Sequence, residues 1–142
     1  MKTVSQILRQ KENLLITIHK EATVFEALQL MMNHNISAIL VTDAEDLQGI
    51  FTERDYARKV VLKGKSSKEI RIEEVMTANL ITISPVDSID SCMQIMTDKH
   101  IRHLPVIDAR KLVGMVSIGD VVKFVIEDQK QTIKNLESYI QS

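Results

Sequence analysis

Gly49-Ile50-Phe51-Thr52-Glu53-Arg54-Asp55 is answered, sixty-five residues on, by Gly114-Met115-Val116-Ser117-Ile118-Gly119-Asp120. The offset holds upstream without a gap. Leu15-Ile16-Thr17-Ile18 recurs as Leu80-Ile81-Thr82-Ile83, Ile36 aligns with Ile101, and Val41 with Val106. Asp43-Ala44 aligns with Asp108-Ala109, and Leu47-x-Gly49 with Leu112-x-Gly114. A register kept from Leu15 to Asp55 marks an internal duplication. Two units are too few for a solenoid, which needs about three to cover its core. They suffice for two copies that bury each other's apolar faces around a pseudo-two-fold axis.

Each copy reads β-α-β-β-α, an α/β (α+β) fold in tandem. Residues 15–18 form a short, β-branched apolar run, as a strand buried on both faces requires. Thr23-Val24-Phe25-Glu26 has the capping-box spacing of a helix start. Val24, Ala27, Leu28, Met31 and Met32 follow at helical spacing to Asn35. In the second copy Ser88 opens the helix, with Ile89, Cys92, Met93 and Met96 along its apolar stripe. Residues 37–41 and 47–51 predict a hairpin around the turn-forming Asp43-Ala44-Glu45-Asp46, and residues 104–107 and 112–116 its counterpart. Pro105 has no N–H to donate, which predicts a sheet edge at that point. A second helix opens at Thr52 and again at Ser117.

The blocks that follow are residues 3–62, a polar linker at 63–70, residues 71–126, and a helical extension at 127–142. Past Asp120, the residues Val122, Val125, Gln129, Ile133, Leu136 and Ile140 fall three and four apart. That stripe asks for a partner helix, for instance its own copy in a second subunit.

Composition removes several function classes. The 142 residues are 44% hydrophobic and 26% charged, ordinary for a globular chain and not for a disordered one. Lys plus Arg number 18 against 19 Asp plus Glu, a net charge of −1, so a dedicated nucleic-acid binder is not expected. Aromatics at 4%, with no Trp, leave few platforms for stacking bases. One cysteine, Cys92, excludes an internal disulfide. No apolar run reaches the roughly 18–20 residues of a membrane span, and the start does not read as a secretory leader. A cytoplasmic protein with no membrane partner is expected.

Thr52 with Asp55, and Ser117 with Asp120, set a hydroxyl three residues before a carboxylate at a helix start. Such a start offers free N–H groups to a phosphate, and a carboxylate can accept both cis hydroxyls of a ribose. The same spacing is also close to a capping box that needs no ligand, and both roles stay open. Arg102 and His103, ahead of a strand, can meet a phosphate as a permanent and a pH-tunable cation, or lie in a solvated loop. Arg54 is a weaker cation of the same kind, and Lys59 weaker still. Gly64-Lys65-Ser66 imitates the end of a P-loop, but the first glycine of that motif would fall at Lys59, and no strand precedes it. His100 and His103 lack a third ligand at metal spacing. Cys92, Met31, Met32, Met93 and Met96 read as helix-face core.

The duplicated Gly-x-x-[Ser/Thr]-x-x-Asp, with Val75-Met76-Thr77 and Ile101-Arg102-His103-Leu104-Pro105-Val106, resembles the cystathionine β-synthase (CBS) domain pair. The resemblance covers residues 3 to 126 and is to the stand-alone members. It departs in the first copy, where Ser37-Ala38-Ile39-Leu40 lacks the usual proline and Ile7-Leu8 precedes a longer connection without Met-Thr. The two clefts are therefore expected to differ. The resemblance implies one cleft built from Thr77, Ile81, Arg102 and His103 with Thr52 and Asp55, and another from Ile16, Ser37 and Ala38 with Ser117 and Asp120. The first has more matching residues and is the expected binding site.

The function so implied is that of a regulatory module binding an adenosine-containing ligand between the copies. AMP, ADP or ATP comes first, NAD or S-adenosylmethionine after, and no cofactor is required. A homodimer and a regulated protein partner are expected. A ligand-free dimerisation scaffold is the alternative. An enzyme is not expected, because no nucleophile with an adjacent base or general-acid pair stands at a defensible spacing.

Overall fold

The computed structural model describes residues 2–11 and 15–141. It opens with helix α1 (Val4–Gln10), whose Gln6 side chain reaches back to accept the Thr3 N–H at 2.8 Å. Strand β1 (Thr17–His19) leads into α2 (Val24–Asn33), begun by Thr23, whose Oγ1 accepts the Glu26 N–H at 3.1 Å. β2 (Ala38–Asp43) then lies parallel to β1 and antiparallel to β3 (Asp46–Thr52). One turn of α3 (Glu53–Asp55) continues as a π-helical stretch, Tyr56–Val61, that the spacing of apolar residues did not announce. After a 3-10 turn at Ile72–Glu74, the second copy supplies α4 (Ile89–Lys99), the hairpin β4 (His103–Asp108) and β5 (Lys111–Ser117), and α5 (Ile118–Gln141).

The expected strand at residues 80–83 shrinks to one bridge, Ile83 with Val106. Pro105 is the reason. The Ile83 N–H donates to the Pro105 carbonyl at 3.0 Å and the Ile107 N–H to the Ile83 carbonyl at 2.8 Å. The next donor back along β4 would be residue 105, and proline has none. In the first copy its counterpart is Leu40, and there the ladder runs on, Thr17 facing Leu40.

Two methionines expected in the core are outside it. Met32 is 76% exposed and Met93 is exposed, while Met31 and Met96 are buried. The inward face of α2 is Val24, Ala27 and Met31, and a neighbour one residue on points about 100° away. Cys92 is buried as expected, and burial pushes its thiol up to about 11, which keeps it an unreactive thiol at neutral pH.

The packing units do not coincide with the sequence blocks. The first core gathers Ile18, Val24, Met31, Ile39 and Phe51, and is completed by Ile70 at the end of the linker and by Ile72 and Val75 beyond it. The second gathers Ile83, Ile89, Cys92, Leu104 and Val116, and is completed by Val4 and Ile7 of α1. Each copy thus lends the other the segment before its own first strand. The backbone bonds of the exchange repeat. Val4 N–H donates to Asp87 and Ile89 N–H to Lys2, just as Ile72 N–H donates to Ala22 and Val24 N–H to Ile70. A smaller apolar seam joins the copies through Ala38, Leu40 and Ile50 with Leu80, Leu112 and Met115. On α5, Val121, Phe124 and Val125 pack on the second core. Val125, read above as part of the exposed stripe, is therefore replaced there by Ile126.

Candidate functional site

A cavity of about 600 Å³ opens at one side of the seam. Thr52, Arg54 and Asp55 from the first copy and Thr77, Ile81, Arg102 and His103 from the second side line it. These are the residues of the first expected cleft, together with Arg54. Ser37, assigned to the other cleft by resemblance, lines this one instead. Its carbonyl accepts the Glu53 N–H as that of Arg102 accepts the Ile118 N–H, so Ser37 and Arg102 are counterparts. Leu80 and Asn79 line the cavity too; Leu80 was marked only as part of the repeated strand, and Asn79 by nothing in the sequence.

Thr52 and Asp55 form a complete capping box. Thr52 Oγ1 accepts the Asp55 N–H at 3.1 Å, and Asp55 Oδ2 accepts the Thr52 N–H at 3.0 Å and its hydroxyl at 3.1 Å. The other carboxylate oxygen, Oδ1, accepts from Thr77 Oγ1 at 3.4 Å and pairs with Lys59 Nζ at 3.3 Å. Lys59 also donates to the Val75 carbonyl at 3.1 Å. Thr77 is fixed by paired backbone bonds with Ile50, at 2.8 and 3.0 Å. Gly49 permits that approach: a Cβ there would sit 2.7 Å from both Met76 Sδ and the Thr77 carbonyl.

His103 is half-buried on β4. Burial holds its imidazole below the ordinary histidine value; Asp120 pulls it back up, and Lys11 and Arg102 push it further down. At neutral pH it faces the cavity uncharged, beside the Arg102 side chain.

The second cleft is built differently. Ser117 and Asp120 repeat the capping box, with Ser117 N–H to Asp120 Oδ2 at 2.8 Å and Asp120 N–H to Ser117 Oγ at 3.1 Å. Ala38 is buried in the seam and Ile16 packs on the first core. In their stead Lys11 reaches Asp120 Oδ2 and the Met115 carbonyl, each at 2.8 Å. Nothing in the sequence pairs Lys11 with a residue so far along the chain. Among the described residues no cluster of three or more His, Cys, Asp or Glu could hold a metal ion, and no helix is long and apolar enough to cross a membrane.

The family profile of the CBS domain matches residues 11–62 and again residues 72–127. The chain belongs to the CBS-domain family. A CBS-domain protein from Burkholderia ambifaria, a candidate in signal transduction, is 50% identical, with a TM-score of 0.86 over 90% of this chain and 96% of its own. The CBS domain pair of protein MJ0100, solved with 5'-methylthioadenosine and S-adenosyl-L-methionine, is 29% identical, with a TM-score of 0.79 over 90% and 98%. The mitochondrial CBS domain-containing protein CBSX3 of Arabidopsis thaliana is 43% identical over 124 residues, 84% of this chain and 60% of that relative's length. CBS pairs accordingly include binders of adenosine-containing ligands.

Proposed function

We propose that this CBS pair is a regulatory module that takes an adenine nucleotide, AMP, ADP or ATP, in the cleft lined by Thr52, Asp55, Arg102 and His103. The observation that carries the reading is their convergence on one cavity from both copies. Asp55 would accept the ribose hydroxyls, Ile50 and Ile81 would flank the base, and Arg102, with Arg54, would meet the phosphate. About 600 Å³ lies within the range of small-molecule sites. The arginines favour a phosphate-bearing ligand over S-adenosylmethionine, and NAD stands behind the mononucleotides.

The ligand would bridge the two copies and favour one relative arrangement of them. It acts only to the extent that it binds that arrangement more tightly. The module passes the change to a second subunit or a regulated partner and carries out no reaction itself. Its free, buried Cys92 suits a reducing compartment such as the cytoplasm.

The alternative, a scaffold without ligand, is favoured by one observation: both Asp55 oxygens already accept internal donors. Isothermal titration with AMP, ATP, NAD and S-adenosylmethionine separates the two. The sensor reading requires saturable binding of an adenine nucleotide, and silence across the panel selects the scaffold.

A further inference from the structure

We infer that Lys11 sets the number of ligands this chain takes: its ammonium stands on the Asp120 carboxylate and keeps the second cleft shut. The inference rests on the reading of the first cleft as a nucleotide site.

The two copies share their framework bonds, so the point where they part is informative. In the first cleft the chain leaves its 3-10 turn at Glu74 and lays Met76-Thr77 along β3. Met76 then covers Gly49 and Thr77 exchanges backbone bonds with Ile50. In the second, Leu8 covers Gly114 as Met76 covers Gly49, with Cδ2 2.8 Å from where a Cβ would stand. Here, however, the segment is still helical and stays so to Gln10. The Met115 carbonyl, counterpart of that of Ile50, is met by the Lys11 ammonium. The same ammonium lies 2.8 Å from Asp120, the counterpart of Asp55.

Lys59 does not do this in the first cleft. It reaches Asp55 from one turn along the same helix, at 3.3 Å, and is not among the residues lining the cavity. Its counterpart in the second copy is the buried Phe124. Lys11 instead follows directly on a separate helix, α1, and bridges Asp120 to β5. A ribose hydroxyl brings no charge of its own to the carboxylate, whereas the ammonium adds an ion pair to its hydrogen bond. A ligand would therefore have to displace the better partner and leave the ammonium without its carboxylate. The positions that carry the cations of the first cleft also differ between the copies. Arg102 and His103 correspond to Ser37 and the buried Ala38.

The test is the stoichiometry of adenosine, a probe without phosphate, measured by isothermal titration on the full chain. Wild type is expected to take one per chain, displaced by AMP and lost in Asp55→Ala. Lys11→Met keeps the stem's packing and is expected to take two. Of these, Asp55→Ala removes one and Asp120→Ala the other. Lys11→Gln is the second variant, and thermal unfolding of each free protein checks that it folds. Two sites in wild type, or one site in both Lys11 variants, overturns the role of Lys11 and leaves the nucleotide reading standing. No site in any of these proteins overturns both.

Discussion

Asp55 and Asp120 carry one motif in two copies, yet their surroundings assign them different tasks. Asp55 opens onto a cavity with two arginines on its rim; Asp120 holds Lys11. Asp55→Ala is expected to weaken AMP binding at least about tenfold, some 1.4 kcal/mol, whereas Asp120→Ala should leave it within about twofold. Both lose a reciprocal cap worth about 1 kcal/mol, so urea unfolding should register both substitutions similarly while AMP titration separates them. His103 gives a pH dependence. Its folded value lies below the ordinary 6.5 through burial, so the unfolded chain binds the proton first. The stability it contributes is whole above the unfolded value and is lost as pH falls through the folded one. Thermal midpoints measured from pH 7 to pH 5 should fall less steeply in His103→Asn than in wild type. The first-cleft residues were legible because motif and resemblance marked them. Lys11 was not, because its partner is chosen by the docking of α1 against β5 and by no local pattern.

At the level of elements, the two motif glycines make a matched comparison. A methyl at Gly49 would meet the Thr77 carbonyl, which is held in a bridge and cannot yield, at 2.7 Å. At Gly114 it would meet the end of the Leu8 side chain at 2.8 Å, which can turn aside. Gly49→Ala should cost about 1–3 kcal/mol and Gly114→Ala clearly less, read from urea midpoints. Gly49→Ala should also weaken AMP binding by shifting Thr77. Helix starts and hairpins were readable from their caps and turns: Thr23 and Ser88 begin α2 and α4 as expected. The π-helical stretch Tyr56–Val61 was not, since it changes the bonding pattern without changing which residues look helical. The lost strand at residues 80–83 shows the opposite case. Pro105 was noticed, but its missing N–H removes a ladder bond on the neighbour and leaves β4 itself intact.

For the whole molecule, α5 sets the expectation. Residues 129–141 are exposed on every side of the helix. They include Ile133, Leu136 and Ile140, spaced four and three apart with Ile126 and Gln129 before them. A helix so exposed contributes little to the fold of one chain and needs a partner. Ile133→Glu combined with Leu136→Glu is expected to weaken self-association at least about tenfold in sedimentation experiments. Adenosine binding per chain should not change. Sequence showed that two copies exist. That each is completed by the other could not be read, because apolar residues such as Ile7 or Ile72 look alike whichever wall they fill.

That exchange bears on how the protein is made. On the ribosome, the first repeat emerges without Ile70, Ile72 and Val75 and must wait, its apolar floor open, until the linker's end and the stretch after it arrive. Helix α1, synthesised ahead of both repeats, has its docking place only after Val116 and Phe124 exist. A segment made before either repeat is thus the one whose home is finished last, and a chain stalled between the repeats would display unburied surface on α1 and on the first core.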